Sequence, residues 1–542
     1  MADLGASSSP IGPAPEPPPF DTRRTRRATL LALRRPSFPP GALVITSQWA
    51  AAVGIMILAL RPIWSIPLQA DDFLALFYIN GDNFGVWDTT VQNTQHSLTN
   101  SGTHFNPVGI FLESLLKAWM LATDSPILTM SVLHYGTIVG LMLLALPIVT
   151  RLLSRLLRVS SGIAVTSTAL AIPVAVGFAL SAQITAPWAM YDPLVTHPIF
   201  AALPTVVGLA YLSSAVGALE RRAPVRRVVL ASALGVVGFL VYESLIVFVA
   251  ALVMIAWLGR RRGFSGFRSR LPWLIVPPVA TFLVSQLIIA GRPDAAYTGT
   301  SFTIDLATAP AWMVSMTTSQ PGALWGIASR HVDLSRLVPS ALIGAVLVGA
   351  ALLGWLLWGR TRRAVPAVDD AAATRVEEKP TSLDGERAAS HALVPVVALA
   401  LCAPVPFLVS RLWVSQLEIL GTTYMHSLIV LWCWAMALAL IAIQLVRSRG
   451  SVAWLVLASL VVTGWVGVQL SINRQLSAEL TAHPTVGIDV AEALQHPAPR
   501  EEDRCAMLFA VRPRPDASLF ISLLNREFEE RYGEPFCTSE AE

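Results

Sequence analysis

Long uncharged apolar stretches, separated by short arginine clusters, make up most of this chain. The first stretch, Ala42–Leu60, is long enough for a helix to cross a bilayer. Its apolar core is longer than that of a cleavable signal peptide, so we interpret it as an uncleaved anchor. Further stretches predict spans near residues 127–150, 160–182, 198–218, 228–258, 272–290, 338–358, 392–410, 427–446 and 453–471.

The stretch Val228–Leu258 decides the topology, because arginine clusters flank it on both sides. As one helix, it would put Arg260–Arg262 outside the cell and invert every later span. As a hairpin that turns near Tyr242–Ser244, it keeps every basic cluster inside, as the positive-inside rule expects. Each arm would then have about 15 residues, or ~22 Å of helix against a hydrocarbon core of ~30 Å. We prefer the hairpin, which gives about eleven crossings with the N-terminus inside and the C-terminus outside.

This topology predicts an all-α polytopic membrane protein. Residues 1–40, rich in Pro, Ser and Arg, form a disordered cytoplasmic tail, and residues 41–471 form the transmembrane domain. That domain includes extracytoplasmic loops at 61–126 and 292–336 and a cytoplasmic linker at 361–390. Residues 472–542 form an extracytoplasmic tail.

Two of these outer segments are predicted to contain helices of their own. In the first loop, residues 107–122 are apolar except for Glu113 and Lys117, which share one helical face. This pattern is typical of a helix that lies in the membrane interface. In the C-terminal tail, residues 525–532 predict a small helix whose charged side chains face solvent.

The composition agrees with a membrane location. Of the 542 residues, 54% are hydrophobic and 14% are charged, whereas soluble domains have roughly 25% charged residues. The net charge of +4 comes from arginines at the ends of the spans, which predicts a lipid bilayer as partner and argues against nucleic acid. The Ala-rich sequence, in which nearly all basic residues are arginine, suggests a genome of high GC content, and we interpret the chain as a protein of a bacterial plasma membrane.

An acidic pair, Asp71 and Asp72, follows the first span and precedes an apolar stretch. One interpretation is that an aspartate caps the next helix, since Asp is favoured at that position. The other is that the pair provides a catalytic base or a metal ligand at the membrane–water boundary. Adjacent like charges favour a carboxylate that accepts a proton, as a general base must. The residues alone leave both interpretations open.

A span followed at once by an acidic pair in a large first outer loop resembles the GT-C superfamily of polyprenyl-phosphate-sugar-dependent glycosyltransferases. The segment Gly102–Pro107, with His104 and Asn106, resembles the His/Pro-containing segment of protein-mannosyltransferase-like and aminoarabinose-transferase-like members. The resemblance covers about residues 60–125. This chain has Asp-Asp where those members have Asp-Glu, and His-Phe-Asn-Pro where they have His-Pro-Pro.

The resemblance implies an inverting transfer of a sugar from a polyprenyl-phosphate donor to an extracytoplasmic glycan, lipid or protein acceptor. Asp71 or Asp72 would be the general base, and the pair could also hold a divalent cation such as Mg²⁺, Ca²⁺ or Mn²⁺. His104 and Asn106 would bind substrate. The leaving phosphate requires a nearby cation, for which arginine is suited. The extracytoplasmic candidates are Arg292, Arg330, Arg336 and Arg411, with His331 beside Arg330. The alternative for each arginine is an anchor in the membrane interface.

Three further features bear on function. Glu243, next to Tyr242, is an ionisable residue in an apolar stretch, which marks it either as a substrate-binding residue or as a polar cap of the turn. Cys505 and Cys537 can form a disulfide if the tail is outside the cell. The alternative function is a transporter or flippase of a lipid-linked saccharide, which would place ionisable residues near the middle of the membrane on broken helices.

Overall fold

The computed structural model describes residues 86–99, 105–121, 126–157, 198–220, 223–259, 267–290, 393–400, 499–511 and 532–538, with single positions within 50–57, 428–440 and 525–529. All regular elements in this described part are helical, and it contains no strand. The α-helices, in chain order, are α1 Val86–Thr99, α2 Pro107–Leu121, α3 Pro126–Leu157, α4 Leu203–Ala218, α5 Val225–Val241, α6 Ile246–Gly259, α7 Phe267–Ala290 and α8 Glu501–Val511. A π-helical turn, Pro198–Ala202, leads into α4, and a 3₁₀ turn, Glu243–Leu245, separates α5 from α6.

Two described helices are long and apolar enough to cross a membrane. They are Gly136–Leu157 within α3 and Arg268–Ile289 within α7. Only 17% of the most apolar part of α7 is buried inside the protein, so this helix presents an apolar surface to its surroundings. The other predicted spans are shorter helices here or lie outside the described residues, and the total of about eleven crossings stays a prediction.

Helix α4 is the centre of the described core. It packs against α3, α5 and α6, and its residues Leu209, Tyr211 and Ala215 are fully buried. A helix that is apolar on all sides is expected in such a position. Gly208 allows α6 to come close, because a Cβ atom there would collide with the ring of Phe248.

Two adjacent prolines in α7 explain how α7 is joined to its neighbours. Pro277 and Pro278 have no N–H, so the carbonyl groups four residues earlier, at Trp273 and Leu274, have no donor within the helix. Hydroxyl groups from other helices donate instead. The Ser232 hydroxyl of α5 donates to Trp273 O at 2.5 Å. The Tyr211 hydroxyl of α4 donates to Leu274 O at 2.9 Å.

Helices α5 and α7 run in the same direction. Ser232, in the middle of α5, contacts Trp273 in the first third of α7. The rings of Phe239 and Phe282 lie 5.4 Å apart further along both helices. The chain must therefore reverse between the end of α5 and the start of α7. Helix α6, which contacts both α4 and α7, is the returning arm. The stretch Val228–Leu258 thus forms a hairpin that turns at Tyr242–Leu245, where the sequence predicted it.

The C-terminal tail contains a small folded unit. A disulfide joins Cys505 of α8 to Cys537, with 5.1 Å between the Cα atoms. The side chain of Asn525 forms two hydrogen bonds with the backbone of Cys537, at 2.6 and 2.7 Å. Phe528, at a described helical position within the predicted helix 525–532, is fully buried, so this side chain packs inside the unit.

A buried arginine organises this tail unit. Arg504 is only 3% exposed, and its guanidinium donates to the backbone carbonyls of Pro499, Pro535 and Phe536 at 2.9 to 3.1 Å. It also pairs with the carboxylate of Glu534 at 3.1 Å and lies 4.4 Å from the centre of the Phe528 ring. Since a buried charge is tolerated only when its donors are matched, these contacts account for its position.

Candidate functional site

Helices α3, α5 and α7 bring their charged residues to one end of the described core. The group, called the basic end here, comprises Arg151 and Arg155 of α3, Arg226 and Arg227 of α5, Arg268 and Arg270 of α7, and Glu220 after α4. Glu220 lies 3.8 Å from both Arg155 and Arg227. The described arginines of three clusters that the sequence used to assign topology, at 151–155, 226–227 and 268–270, therefore lie at a common end of the described helices.

Two of these arginines also cap the carboxyl end of α4. Arg155 donates to Ser213 O at 2.5 Å, and Arg270 donates to Ala218 O and Glu220 O at 2.9 and 2.8 Å. The last carbonyl groups of a helix have no partner within it and carry the negative end of its dipole. Arg155 and Arg270 thus stabilise the end of α4 and attach it to α3 and α7.

The candidate site lies at the opposite end, where the hairpin turns. Tyr242 ends α5 in an extended conformation with φ −166° and ψ 141°, and its N–H donates to Gly238 O at 2.9 Å. Tyr242, Ser244 and Leu245 are buried, whereas Glu243 is partly exposed. The helix break therefore holds the Glu243 carboxylate at the boundary of the core, accessible from outside it.

The start of α2 packs against this break. Gly109 lies so close that a Cβ atom there would be 2.6 Å from Val241 O and 2.9 Å from Cε1 of Phe200. The Phe200 ring, from the π-helical turn before α4, lies 6.2 Å from the Tyr242 ring. Asn106, one turn before Ile110, is 6% exposed and accepts the Ile110 N–H at 2.9 Å. Three segments that are far apart in the sequence thus meet here.

Three of the residues singled out from the sequence belong to this end: Asn106, Tyr242 and Glu243. Cys505 and Cys537 lie in the tail unit, where they form the predicted disulfide. The remaining candidates lie outside the described residues, namely Asp71, Asp72, His104, Arg292, Arg330, His331, Arg336 and Arg411. Within the described part, no group of three His, Cys, Asp or Glu side chains could hold a metal ion. A cation bound by the acidic pair therefore stays a prediction.

Sequence reasoning missed two residues that shape the site. Gly109 was treated only as part of an amphipathic helix, and Phe200 only as part of a span. Neither carries a sequence signal of its own, because each matters through a contact with α5 across a gap of more than 40 residues in the chain.

The described site offers a carboxylate beside an aromatic pair. Carboxylates and buried amides provide hydrogen-bonding groups for polar ligands, and aromatic rings provide an apolar surface. No protein-family model matches the sequence, and comparisons with curated proteins and with solved structures find no significant match.

Proposed function

We propose that this protein is an inverting glycosyltransferase of the bacterial plasma membrane, using a polyprenyl-phosphate sugar as donor and an extracytoplasmic glycan, lipid or protein as acceptor. The observation that carries the proposal is the meeting of the α2 start with the Tyr242–Glu243 break, at the end opposite the arginines. The sequence had marked Asn106, directly before α2, and Glu243, in the break, as candidate substrate-binding residues for separate reasons.

The proposed orientation of the protein in the membrane follows from the position of the arginines at the end opposite the helix break. Arginine clusters favour the cytoplasmic side, so the basic end faces the cytoplasm and the helix break faces outward. The disulfide in the tail supports an extracytoplasmic C-terminus, because disulfides persist in oxidising compartments. The exposed apolar surface of α7 supports membrane insertion, since a core helix of a soluble protein would be mostly buried.

The depth of the break favours a transferase over a transporter. Helix α5 has 17 residues, so Glu243 lies ~26 Å from the start of α5 at 1.5 Å per residue. The hydrocarbon core is ~30 Å thick, with its midplane at ~15 Å. Transporters bind substrate near the midplane. Glu243 instead lies near the outer boundary, where a lipid-linked sugar and an aqueous acceptor meet.

In the proposed reaction, Asp71 or Asp72 removes the proton from an acceptor hydroxyl. The hydroxyl oxygen then bonds to the anomeric carbon from the face opposite the phosphate. The bond from that carbon to the phosphate oxygen breaks, and polyprenyl phosphate leaves with the electron pair. Glu243, with Asn106 nearby, accepts hydrogen bonds from sugar hydroxyls and orients the donor. An arginine such as Arg292, Arg330 or Arg411 stabilises the departing phosphate.

Single substitutions test this scheme in protein reconstituted into liposomes. Asp71→Asn and Asp72→Asn are compared with Asp88→Asn, a matched control in the same outer segment whose carboxylate is exposed on α1. We expect one of the first two to reduce release of polyprenyl phosphate by roughly 10²–10⁴-fold, as loss of a general base does. The control should retain activity. Full activity in both Asp71→Asn and Asp72→Asn would exclude the pair as the base.

Glu243→Gln tests whether Glu243 contributes to binding of the donor or to the chemical step. If Glu243 orients the donor, the substitution raises the KM for the donor more than it lowers kcat. A transporter gives a different result: the wild-type protein would move the lipid-linked saccharide across the bilayer and release no polyprenyl phosphate.

The orientation of the protein in the membrane is tested by a membrane-impermeant thiol reagent, which should label Thr300→Cys but not Val365→Cys from outside the cell.

A further inference from the structure

The start of α2 has an asparagine at the position of a helix cap, but the cap is not formed. Asn106 directly precedes Pro107, and its backbone carbonyl accepts the Ile110 N–H at 2.9 Å, so Asn106 is the N-cap residue. An asparagine there normally accepts a hydrogen bond from the second or third N–H group of the helix. These positions belong to Val108 and Gly109, and neither donates to Asn106 or to another described residue. Two backbone donors are therefore unused within the described part of the chain.

The side chain of Asn106 is buried and also lacks a partner. It is 6% exposed, and its amide forms no hydrogen bond with any described residue. A buried amide without a partner is costly in a folded protein, so its presence indicates that a bound group completes it. Because an N-cap side chain lies beside the first turn, the amide and the N–H groups of Val108 and Gly109 belong to one site.

The electrostatic potential at this site is positive. The N-terminus of a helix carries the positive end of its dipole, and the first turn of α2 contains no acidic side chain that would offset it. Val241 O lies beside Gly109 where a Cβ atom would be, on the side of the helix, whereas the N–H groups point along the helix axis. This carbonyl is therefore not their acceptor. Donors and potential together favour an anion with several acceptor oxygens, such as a phosphate group.

We propose that the start of α2 binds the phosphate group of the polyprenyl-phosphate donor. The N–H groups of Val108 and Gly109 and the amide N–H of Asn106 donate to the phosphate oxygens. The amide oxygen of Asn106 still accepts a hydrogen bond from a sugar hydroxyl. The contact of Gly109 with Val241 places this site beside the helix break, near the outer boundary of the membrane, where the phosphate of a lipid-linked sugar lies. The inference rests on the proposed function and adds a phosphate site made by a helix start.

The test measures binding of radiolabelled farnesyl phosphate, a short prenyl phosphate, to the purified full-length protein in detergent. Asn106→Asp keeps a side chain that caps helices as well as asparagine does, but it removes the amide donors and brings a negative charge. The affinity for farnesyl phosphate should fall about 10- to 100-fold, as loss of a hydrogen bond to a charged group implies. The matched control is Asn93→Asp, the same substitution at an exposed position of α1, which should keep the wild-type affinity.

A second variant and a second measurement separate binding from folding. Asn106→Ser retains a capping hydroxyl and adds no charge, and it should weaken binding about fivefold. Without ligand, Asn106→Asp should unfold at the wild-type Tm, because the quality of the cap is unchanged. Farnesyl phosphate should raise the Tm of Asn106→Asp less than that of the wild type, since a weaker ligand stabilises less.

Wild-type affinity in both Asn106→Asp and Asn106→Ser would overturn the inference. An equal loss in Asn93→Asp would also overturn it, because the effect would then be a general one of negative charge. Inorganic phosphate that competes as strongly as unlabelled farnesyl phosphate would indicate a site for free anions instead of a lipid phosphate. Failure of the proposed function gives a different result: the wild-type protein would neither bind farnesyl phosphate nor transfer sugar.

Discussion

The hydrogen bond from Tyr211 to Leu274 gives the sharpest test of how this fold is held together. Tyr211→Phe keeps the buried ring and removes only the hydroxyl that donates to Leu274 O at 2.9 Å. Leu274 is fully buried, and Pro278 has removed the donor that the helix would otherwise provide. The substitution therefore leaves a carbonyl group without a donor inside the protein.

The expected cost lies above that of an ordinary hydrogen bond between membrane helices. Such bonds average about 0.6 kcal/mol and reach ~1.7 kcal/mol, because the groups usually find other partners. A buried polar group left without a partner costs about 1–3 kcal/mol. Since Leu274 O has no alternative donor in α7, we expect Tyr211→Phe to lower the free energy of unfolding by about 1–2 kcal/mol. Equilibrium unfolding in mixed micelles with increasing sodium dodecyl sulfate, followed by circular dichroism, measures this change.

A double-mutant cycle tests whether the missing N–H of Pro278 is the reason that Tyr211→Phe lowers the free energy of unfolding. Pro278→Ala restores an N–H that can donate to Leu274 O within α7. In that background Tyr211→Phe should cost less than about 0.5 kcal/mol, so the two substitutions are strongly coupled. Ser232→Ala with Pro277→Ala forms an independent second cycle at Trp273 O. An equal cost of Tyr211→Phe with and without Pro278 would refute the reasoning, because the hydroxyl would then not replace the donor that proline removes.

Two further predictions concern the site and the tail. Gly109→Ala adds a Cβ atom 2.6 Å from Val241 O, so α2 must shift. If the ~1–3 kcal/mol of overpacking is expressed in the transition state, the transfer rate should fall about 5- to 150-fold. Gly136→Ala, where a Cβ atom has nothing within 4 Å, is the control and should retain the rate. In the tail, hydrogen bonds from Thr538 lower the pKa of Glu501 below its ordinary 4.5. This carboxylate therefore stabilises the tail above pH 4.5, and that contribution is lost as the pH falls through the lowered pKa. A phosphine reductant should therefore open the Cys505–Cys537 disulfide of the wild-type protein faster as the pH falls. In Glu501→Gln, measured at the same pH values, the opening rate should lack this acceleration. An identical pH profile for both proteins would contradict the prediction.

Sequence patterns predicted the long apolar helices and the amphipathic helix α2, but they did not predict α1 or α8. The apolar stretches near 198–218 and 272–290 correspond to α4 with its π-helical turn and to α7, and the amphipathic segment 107–122 corresponds to α2. The turn at Tyr242–Ser244 was also predicted, because a glutamate inside an apolar stretch and arginines at both of its ends favour a reversal. These features depend on residues that are neighbours along the chain, so local sequence patterns are sufficient to predict them.

The contacts between helices could not be predicted in the same way. Periodicity indicates which face of a helix is buried, but not which helix covers it. It therefore could not show that Ser232 and Tyr211 replace the donors that Pro277 and Pro278 remove, or that Arg155 and Arg270 cap α4. It also did not predict that Arg504 is buried, since arginine is normally exposed and only the carbonyls around it explain its position.

By itself, the sequence determined the helical class, the approximate positions of the apolar helices and the common end of the arginines of α3, α5 and α7, because these follow from local hydrophobicity and charge. Only the tertiary structure decided that the start of α2 lies against the Tyr242–Glu243 break and that α5 and α7 run parallel. Such pairings depend on shape and on the hydrogen bonds available between surfaces that are distant in the chain. For this protein, those surfaces are brought together by small residues such as Gly109 and by carbonyl groups that proline leaves without a donor.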